Sequence, residues 1–420
     1  MKKDITCMVV GAGGRGKLYA KLAVEMDDQF KIVAVAEPDE SRRKEMSDLY
    51  KIPAKNQFKT WQDAAAQGKI ADCVINGTMD MHHRDSAVAF FEQGYDMLLE
   101  KPLAPNLNDS LDIINSARKN QRKVVLGFVL RYTPFYTKVK EIVDSGRLGR
   151  IMQIRMSENV GWLHYSSSFV RNQFRRAPLC SSFLVQKSCH DTDIMAWLMG
   201  KNKPVRVSSF GSLKYFTKEN KPPGATEYCL DGCPLNGLCL YSSDLKYVSE
   251  KWWREEVLKK PDMTDDEVRA HYRHTPEDKC VYQNDNTVND RQALLVEFED
   301  NALGIFDMHG FDMRGDRLIN IYGQQGNLEG SMHDNIIKVR VPKMKGGKVE
   351  EEIIDLKEAV SAAASGHGGG DRLLTRDFIN AIRHDADCVA SIYDAEVGHR
   401  IAFAADKSSE NGGIATKVWD

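Results

Sequence analysis

The chain has 420 residues and a formal net charge of −2 at pH 7, with 28% charged and 42% hydrophobic residues. This length exceeds the size at which one hydrophobic core usually stops growing, so we expect two domains. The near-neutral charge and the lack of a basic run in the sequence argue against a nucleic-acid-binding or membrane-surface protein.

The start of the chain indicates the cellular compartment. Met1 to Lys3 leads into only a short apolar run, and the sequence shows neither a cleavage site nor a segment of membrane-spanning length. Nine cysteines over this length are typical of reduced thiols rather than of a disulfide scaffold. We therefore expect a cytoplasmic protein.

A predicted strand at residues 5–10, a glycine-rich turn and a helical stretch at 17–26 open the chain. This order is the context of a dinucleotide-binding fingerprint, in which the glycines allow a tight turn, approach of a pyrophosphate and close helix packing. An ordinary glycine turn is the alternative. The residues predicted to bind the cofactor here are Gly11, Ala12, Gly13, Gly14, Arg15 and Gly16.

Glu37 follows the second predicted strand, about 20 residues after the glycine turn. A carboxylate at this place accepts hydrogen bonds from the adenine-side ribose and repels a 2′-phosphate, so the sequence favours NAD. Arg42 and Arg43 lie nearby and leave NADP open as an alternative.

Up to about residue 128, short apolar strands alternate with helices, as in a doubly wound parallel sheet. The later strands are predicted at 71–75, 96–99 and 124–127, and the helices between them at 85–93 and 108–120. We predict an NAD-binding Rossmann domain over residues 1–128, with its ligand along the carboxyl edge of the sheet.

Beyond residue 128 the pattern changes to neighbouring strands with short turns. The fold class is thus α/β, with a C-terminal α+β domain over residues 129–420 built on a large, mainly antiparallel open sheet. We expect helices 372–383 and 395–407 to lie behind this sheet and residues 220–290 to form an insertion. The predicted helix is 134–145, and the predicted strands are 152–157, 205–210, 293–298, 303–308, 318–322 and 336–341.

Lys101 stands after the strand at 96–99, between Glu100 and Pro102. At the carboxyl edge of the sheet it would lie beside the nicotinamide, where partial burial lowers the pKa of an ammonium and suits it to take a hydroxyl proton. A surface lysine paired with Glu100 is the alternative.

A second polar group, from Gln186 to Asp193, precedes an apolar helix. His190 and Asp193 lie three residues apart and share a helix face, so His190 could bind a substrate hydroxyl or pass a proton while Asp193 orients its ring or caps the helix. A satisfied buried histidine is the alternative.

These motifs, with Gly146-Arg147-Leu148-Gly149, make the chain resemble the Gfo/Idh/MocA family over nearly its whole length. The resemblance implies a Rossmann domain followed by an open antiparallel sheet, and it matches Lys101 and His190 to the family's catalytic lysine and histidine. It also implies that Tyr132 faces the active site. The family's acid commonly stands four residues before the histidine, where this chain has Gln186, so Lys187 becomes a further acid–base candidate.

The loop at 366–371 adds a polar site to this set. His367 could reach the substrate, while Asp371 could instead cap the following helix. We therefore predict catalytic Lys101 and His190, and a substrate-binding set of Tyr132, Gln186, Lys187, Asp193 and His367.

The resemblance implies a dehydrogenase that acts on the secondary alcohol of a sugar, cyclitol or related polyol. Two alternatives stay open: an NAD-dependent glycoside hydrolase with transient oxidation, and a non-catalytic sugar- or nucleotide-binding regulator. We expect a homodimer or homotetramer through the open face of the sheet.

A cysteine cluster in the insertion suggests a structural metal. Cys229, Cys233 and Cys239 fall within eleven residues and could present thiolates to one zinc ion, with Cys280, His271 or His274 as the fourth ligand. Buried thiols or a disulfide are the alternatives.

Overall fold

The computed structural model describes residues 4–258, 260–343, 347–363 and 366–419. Its N-terminal half forms a parallel sheet whose strands are near-continuous apolar runs, as expected for strands covered on both faces. The strands are β1 (Ile5–Val10), β2 (Phe30–Ala36), β3 (Gln57–Phe58), β4 (Cys73–Asn76), β5 (Asp96–Leu99) and β6 (Val124–Leu126).

These six strands lie in the order β3-β2-β1-β4-β5-β6, and all of them run parallel. The strands β1 to β3 are added toward one edge of the sheet, and β4 to β6 are added toward the other edge. The carboxyl ends of β1 and β4 therefore flank the point where a Rossmann sheet binds its ligand. The helices of this half are α1 (Gly14–Met26), α2 (Glu40–Tyr50), α3 (Trp61–Ala65), α4 (His83–Glu92) and α5 (Leu107–Lys119).

The second sheet has nine strands and is antiparallel except where β7 pairs with β10. Its order is β14-β13-β12-β11-β7-β10-β9-β8-β15. Both sheets agree with the predicted fold class, which is confirmed. The strands are β7 (Ile151–Gly161), β8 (Pro204–Ser212), β9 (Arg291–Phe298), β10 (Leu303–Asp312), β11 (Asp316–Gly323), β12 (Asn327–Ser331), β13 (Ile336–Pro342), β14 (Val349–Asp355) and β15 (Thr416–Lys417).

Eight α-helices follow residue 128 among the described residues. They are α6 (Pro134–Asp144), α7 (Trp162–Tyr165), α8 (Phe183–Gln186), α9 (Cys189–Met199), α10 (Asp265–Tyr272), α11 (Lys357–Ala363), α12 (Gly370–His384) and α13 (Ile392–Glu410). Among the described residues, no helix combines the length and the apolar character needed to cross a membrane.

Helix α12 does not lie behind the antiparallel sheet, where we expected it. Its apolar face belongs to the core of the Rossmann sheet, and the ring of Phe378 lies 6.4 Å from that of Phe30 on β2. Helix α13 contributes Ile392 to the same core and Ile401 to the core of the second sheet. Residues of α12 and α13 thus pack in the core of the Rossmann sheet although they come late in the chain. The domain boundary at residue 128 stays a prediction.

The insertion leaves the second sheet between β8 and β9, which pair directly with each other. It builds a small core of its own from Leu230, Tyr247, Val248, Val268 and Tyr272. The strand pairing of the sheet therefore does not pass through the residues between β8 and β9.

Candidate active site

The glycine turn follows β1 and leads directly into α1. Gly11 has φ of +81° and approaches Gly77 so closely that a Cβ atom there would lie 2.7 Å from the Gly77 backbone. A Cβ atom at Gly16 would collide with the carbonyl oxygen of Gly11. Gly13, by contrast, has no atom within 4 Å of where its Cβ would be, so the turn leaves open space there.

The first turn of α1 is suited to hold an anion. Its N-cap is Gly13, which has no side chain to satisfy the free N–H groups, and no acidic residue lies in the first turn. Unsatisfied N–H groups and the helix dipole both favour negative charge at this end. The residues present therefore fit the pyrophosphate of a dinucleotide.

Glu37 is buried directly behind the glycine turn. Its carboxylate accepts hydrogen bonds from the backbone N–H of Ala12 at 2.7 Å and of Asp39 at 3.0 Å. Arg43 is directed at the carbonyl oxygen of Glu37, 2.5 Å away, rather than at its carboxylate. Glu37 therefore presents negative charge at the turn, with acceptor capacity to spare for a hydroxyl group.

Arg15, predicted to contact the cofactor, joins three parts of the chain. Its guanidinium donates to Glu100 after β5 and to Asp371 on α12, each at 2.7 Å, and contacts the hydroxyl of Tyr19. His367 lies 3.0 Å from Asp371 and 3.5 Å from Arg15. Burial alone would raise the pKa of Asp371, but His367 and Arg15 outweigh it and lower the pKa to about 2.

Asp371 does not cap α12, which was one of the two roles that the sequence left open for this loop. The N-cap of α12 is Gly369, and the Asp371 carboxylate instead bonds Arg15 and His367. The loop before α12 thus ties the C-terminal half to the glycine turn. Glu100 completes the connection, since its second oxygen accepts from the backbone N–H of Lys101 at 2.9 Å.

The Lys101 side chain reaches from the Rossmann sheet to the segment just before His190. The Lys101 Nζ donates to the backbone carbonyl of Gln186 at 2.6 Å, just before α9 begins. His190 is buried in the first turn of α9, and its Nδ1 has no hydrogen-bond partner among the described residues. Burial lowers the pKa of His190 well below its usual range, and the positive charge of Lys101 lowers it further. The lowered pKa favours the neutral imidazole, whose open Nδ1 can accept a hydrogen bond.

A cavity of about 380 Å³ opens at Lys187, the residue after Gln186. Lys187 lines it together with Glu158 and Arg317, and Gly368 lies at its edge. Lys101 and His190 do not line the cavity, but the Gln186 carbonyl that holds Lys101 is in the peptide linked to Lys187. The Gln186 side chain is itself buried.

Lys187 is close to an acidic side chain on β7. Its Nζ lies 3.7 Å from Glu158, and burial lowers the pKa of its ammonium although Glu158 partly opposes this. Arg317 on β11 contacts Glu158 and donates to Asp191 at 2.8 Å. The sequence analysis did not single out Glu158, Asp191 or Arg317.

Two predicted substrate residues are engaged elsewhere. The Tyr132 hydroxyl donates to Asp377 at 2.6 Å and accepts from the Ala390 N–H at 3.0 Å, apart from the cavity lining. Asp193 neither orients His190 nor caps α9, because both its oxygens bind the guanidinium of Arg131 at 2.6 and 2.8 Å.

The predicted metal site is not supported. Cys229, Cys233, Cys239 and Cys280 do line one small cavity. Across the described ranges, however, no group of three or more His, Cys, Asp or Glu side chains is arranged to hold a metal ion. Arg171 donates to the Cys229 sulfur at 3.6 Å, and burial raises the pKa of the Cys239 and Cys280 thiols, which disfavours the thiolates that zinc needs.

Comparison with known proteins places this site in a family. The oxidoreductase family model with an NAD-binding Rossmann fold matches residues 5–128, and the GFO/IDH/MocA C-terminal domain model matches residues 136–227. YteT of Bacillus subtilis is 26% identical over 323 residues, which are 73% of this chain and 72% of YteT.

Two further matches carry names that refer to sugars or cyclitols. Inositol 2-dehydrogenase of Corynebacterium glutamicum is 27% identical over 201 residues, which cover 48% of this chain but only 56% of that enzyme. The solved structure of a levoglucosan dehydrogenase in complex with NADH and levoglucosan has a TM-score of 0.73 at 15% identity, with all of both chains covered, and supports the fold. From the two family models, the chain belongs to the Gfo/Idh/MocA family of NAD-binding oxidoreductases.

Proposed function

We propose that this chain is an NAD-dependent dehydrogenase that moves a hydride between the nicotinamide and a secondary alcohol of a sugar, cyclitol or related polyol. The observation that carries the proposal is the hydrogen bond from the Lys101 ammonium, after β5, to the carbonyl of Gln186, four residues before the buried His190. Lys187, the residue after Gln186, lines a cavity. The inositol and levoglucosan dehydrogenases named above support the choice of substrate class.

The glycine turn and Glu37 would hold the cofactor. Gly13 and the first turn of α1 receive the pyrophosphate, and the Glu37 carboxylate accepts from the ribose hydroxyls and disfavours a 2′-phosphate. When bound, NAD supplies the hydride acceptor. NAD is therefore the expected cofactor, with NADP bound more weakly.

Lys101 and His190 handle the proton of the substrate hydroxyl. The Lys101 ammonium has three N–H donors, of which one is held by the Gln186 carbonyl, so it can also hydrogen-bond the oxygen of the carbinol. The open Nδ1 of His190 can accept the proton. Lys101 stabilises the negative charge that develops on the oxygen as this proton leaves, and that charge is used up as the carbonyl forms and the hydride departs.

A substrate screen tests this proposal. The protein is incubated with NAD, or separately with NADP, and with myo-inositol, scyllo-inositol, levoglucosan or D-glucose, and reduction of the nicotinamide is followed by absorbance. We expect reduction of NAD by at least one polyol. Cleavage of an aryl glycoside that needs bound NAD but leaves it oxidised would instead support the hydrolase. Binding of NAD with neither reaction would support the regulator.

We also propose that the chain forms a homodimer or homotetramer through the open face of the second sheet. The strand register places four partly exposed apolar side chains on this face: Leu295, Leu303, Leu318 and Tyr322. Sedimentation of the wild-type protein and of a Leu295→Glu, Leu318→Glu variant tests this. A monomeric wild-type protein would contradict it.

A further inference from the structure

Four charged side chains form a cluster at the cavity, and three of them, Glu158, Lys187 and Arg317, line it. Arg317 contacts Glu158 and donates to Asp191 at 2.8 Å, and Lys187 lies 3.7 Å from Glu158. Glu158 and Asp191 are 5% and 1% exposed. Burying charges in this way has a large desolvation cost, which only good geometry or a bound polar group offsets.

The cluster is not satisfied by its own members. Asp191 Oδ2 has no hydrogen-bond partner among the described residues, and burial raises the pKa of this carboxyl to about 6. The 3.7 Å between Lys187 and Glu158 is longer than a hydrogen bond, so the two groups attract each other without using up their donors and acceptors. A lysine ammonium offers three donors, and a carboxylate offers about four acceptor positions.

Lys187 and Glu158 both line the cavity, whereas Asp191 does not. A ligand in the cavity therefore meets one donor and one acceptor side by side. Two neighbouring hydroxyl groups match this pair, because one oxygen can accept from Lys187 while the other hydroxyl donates to Glu158.

Lys187 is connected to Lys101 through one peptide group. The carbonyl of Gln186 accepts a hydrogen bond from the Lys101 ammonium, and Lys187 is the next residue. This connection is our reason for placing a hydroxyl bound at Lys187 on a carbon near the one that is oxidised. Arg317 on β11 lines the cavity beside Glu158, contacts its carboxylate and is itself held by Asp191.

We propose that Glu158 and Lys187 determine specificity by binding two vicinal hydroxyl groups next to the oxidised carbinol, with Arg317 as the residue that positions Glu158. The preferred substrate class is then a cyclic polyol with three contiguous hydroxyl groups. This inference rests on the proposed function for the identity of the carbinol.

The test uses Glu158→Gln, Lys187→Met and Arg317→Met, with Glu329→Gln as a matched control. Glu329 is also a sheet carboxylate paired with a lysine and an arginine, Lys338 and Arg340, but it lies on β12 outside the cavity lining. Binding of myo-inositol and levoglucosan, and of each of their monodeoxy analogues, is measured by calorimetry on protein saturated with NADH. Thermal unfolding shows whether each variant is folded.

We expect Glu158→Gln to weaken binding of the better parent polyol by about 10- to 100-fold, the size of a hydrogen bond to a charged group. One deoxy analogue should bind wild type and Glu158→Gln equally, because it lacks the hydroxyl that Glu158 accepts from. The affinity of Lys187→Met should not change when the neighbouring hydroxyl is removed from the ligand. Glu329→Gln should bind every ligand with the affinity of wild type.

The inference is overturned if Glu158→Gln weakens the parent and every deoxy analogue by the same factor, or if no probe binds the wild-type protein. If Arg317→Met does not fold, the conservative Glu158→Gln variant alone decides the outcome. Because binding is measured without turnover, a protein that binds polyols through this pair but never reduces NAD would contradict the proposed function and leave the inference standing.

Discussion

Replacing Asp371 by asparagine should weaken the tie between the C-terminal half and the glycine turn. The Asp371 side chain is fully buried and its pKa is lowered from 3.8 to about 2 by His367 and Arg15, which outweigh the effect of burial. Since one pKa unit corresponds to about 1.4 kcal/mol, the charged carboxylate stabilises the fold by about 2 kcal/mol at neutral pH. Asp371→Asn should lose this amount.

The pH dependence has a defined sign. A carboxyl whose folded pKa is depressed contributes stability above its unfolded value of 3.8, and this contribution is lost as the pH falls toward 2. The free energies of unfolding of wild type and Asp371→Asn, from urea titrations, should therefore differ by about 2 kcal/mol at pH 7 and converge below pH 3. In thermal unfolding the difference at pH 7 corresponds to about 2 °C.

Asp385→Asn is the matched control. Asp385 follows the same helix α12 at its other end and pairs with Lys123, but its side chain is 94% exposed. Removing an exposed, solvent-screened ion pair should change stability far less than removing the buried Asp371 carboxylate. If Asp371→Asn and Asp385→Asn have equal effects, or if the Asp371→Asn difference does not shrink at low pH, the buried network does not stabilise the fold as argued.

Four other substitutions test separate parts of the account. Glu37→Ser should erode a preference for NADH over NADPH in fluorescence titrations, and tighter NADPH binding by the wild type would refute the argument from Glu37. Gly13→Ala should leave the thermal midpoint unchanged and weaken NADH binding by about tenfold. Gly16→Ala should lower the free energy of unfolding by about 1–3 kcal/mol, because its Cβ atom has no room. The reverse pattern would contradict the roles assigned to these two glycines. Asp193→Asn leaves Arg131 buried without a countercharge and should cost about 3–5 kcal/mol in urea titrations, so a neutral effect would show that the pair is not structural.

Local patterns in the sequence were enough to predict the Rossmann half. The glycine turn, the strand before it and Glu37 after β2 are read from short stretches, and the structure has the strand and helix where the spacing predicts them. The side chain of Asn106, for example, accepts from the N–H of Asp109 and starts α5. The coarse class of the second sheet also follows from short-range alternation along its strands.

Contacts between distant segments were not predictable in this way. Helix α12 has the periodicity of a helix that covers a sheet, but nothing in its sequence says which sheet it covers. The bond between Arg15 and Asp371 joins residues from opposite ends of the chain. A signal did exist for Glu158, because it is a charged residue at an inward position of β7 between the buried Met156 and Val160.

The central claim is that Lys101 and His190 share one proton transfer beside the nicotinamide. It is tested most directly by single-turnover reduction of NAD with the best polyol of the screen, in wild type, Lys101→Ala, His190→Ala and the double variant. Each single substitution should slow the reaction by about 10² to 10⁴, or 3 to 5 kcal/mol, with NADH affinity nearly unchanged, and the double variant should be far less impaired than the product of the two. A Lys101→Ala protein that retains nearly the full rate would contradict the account.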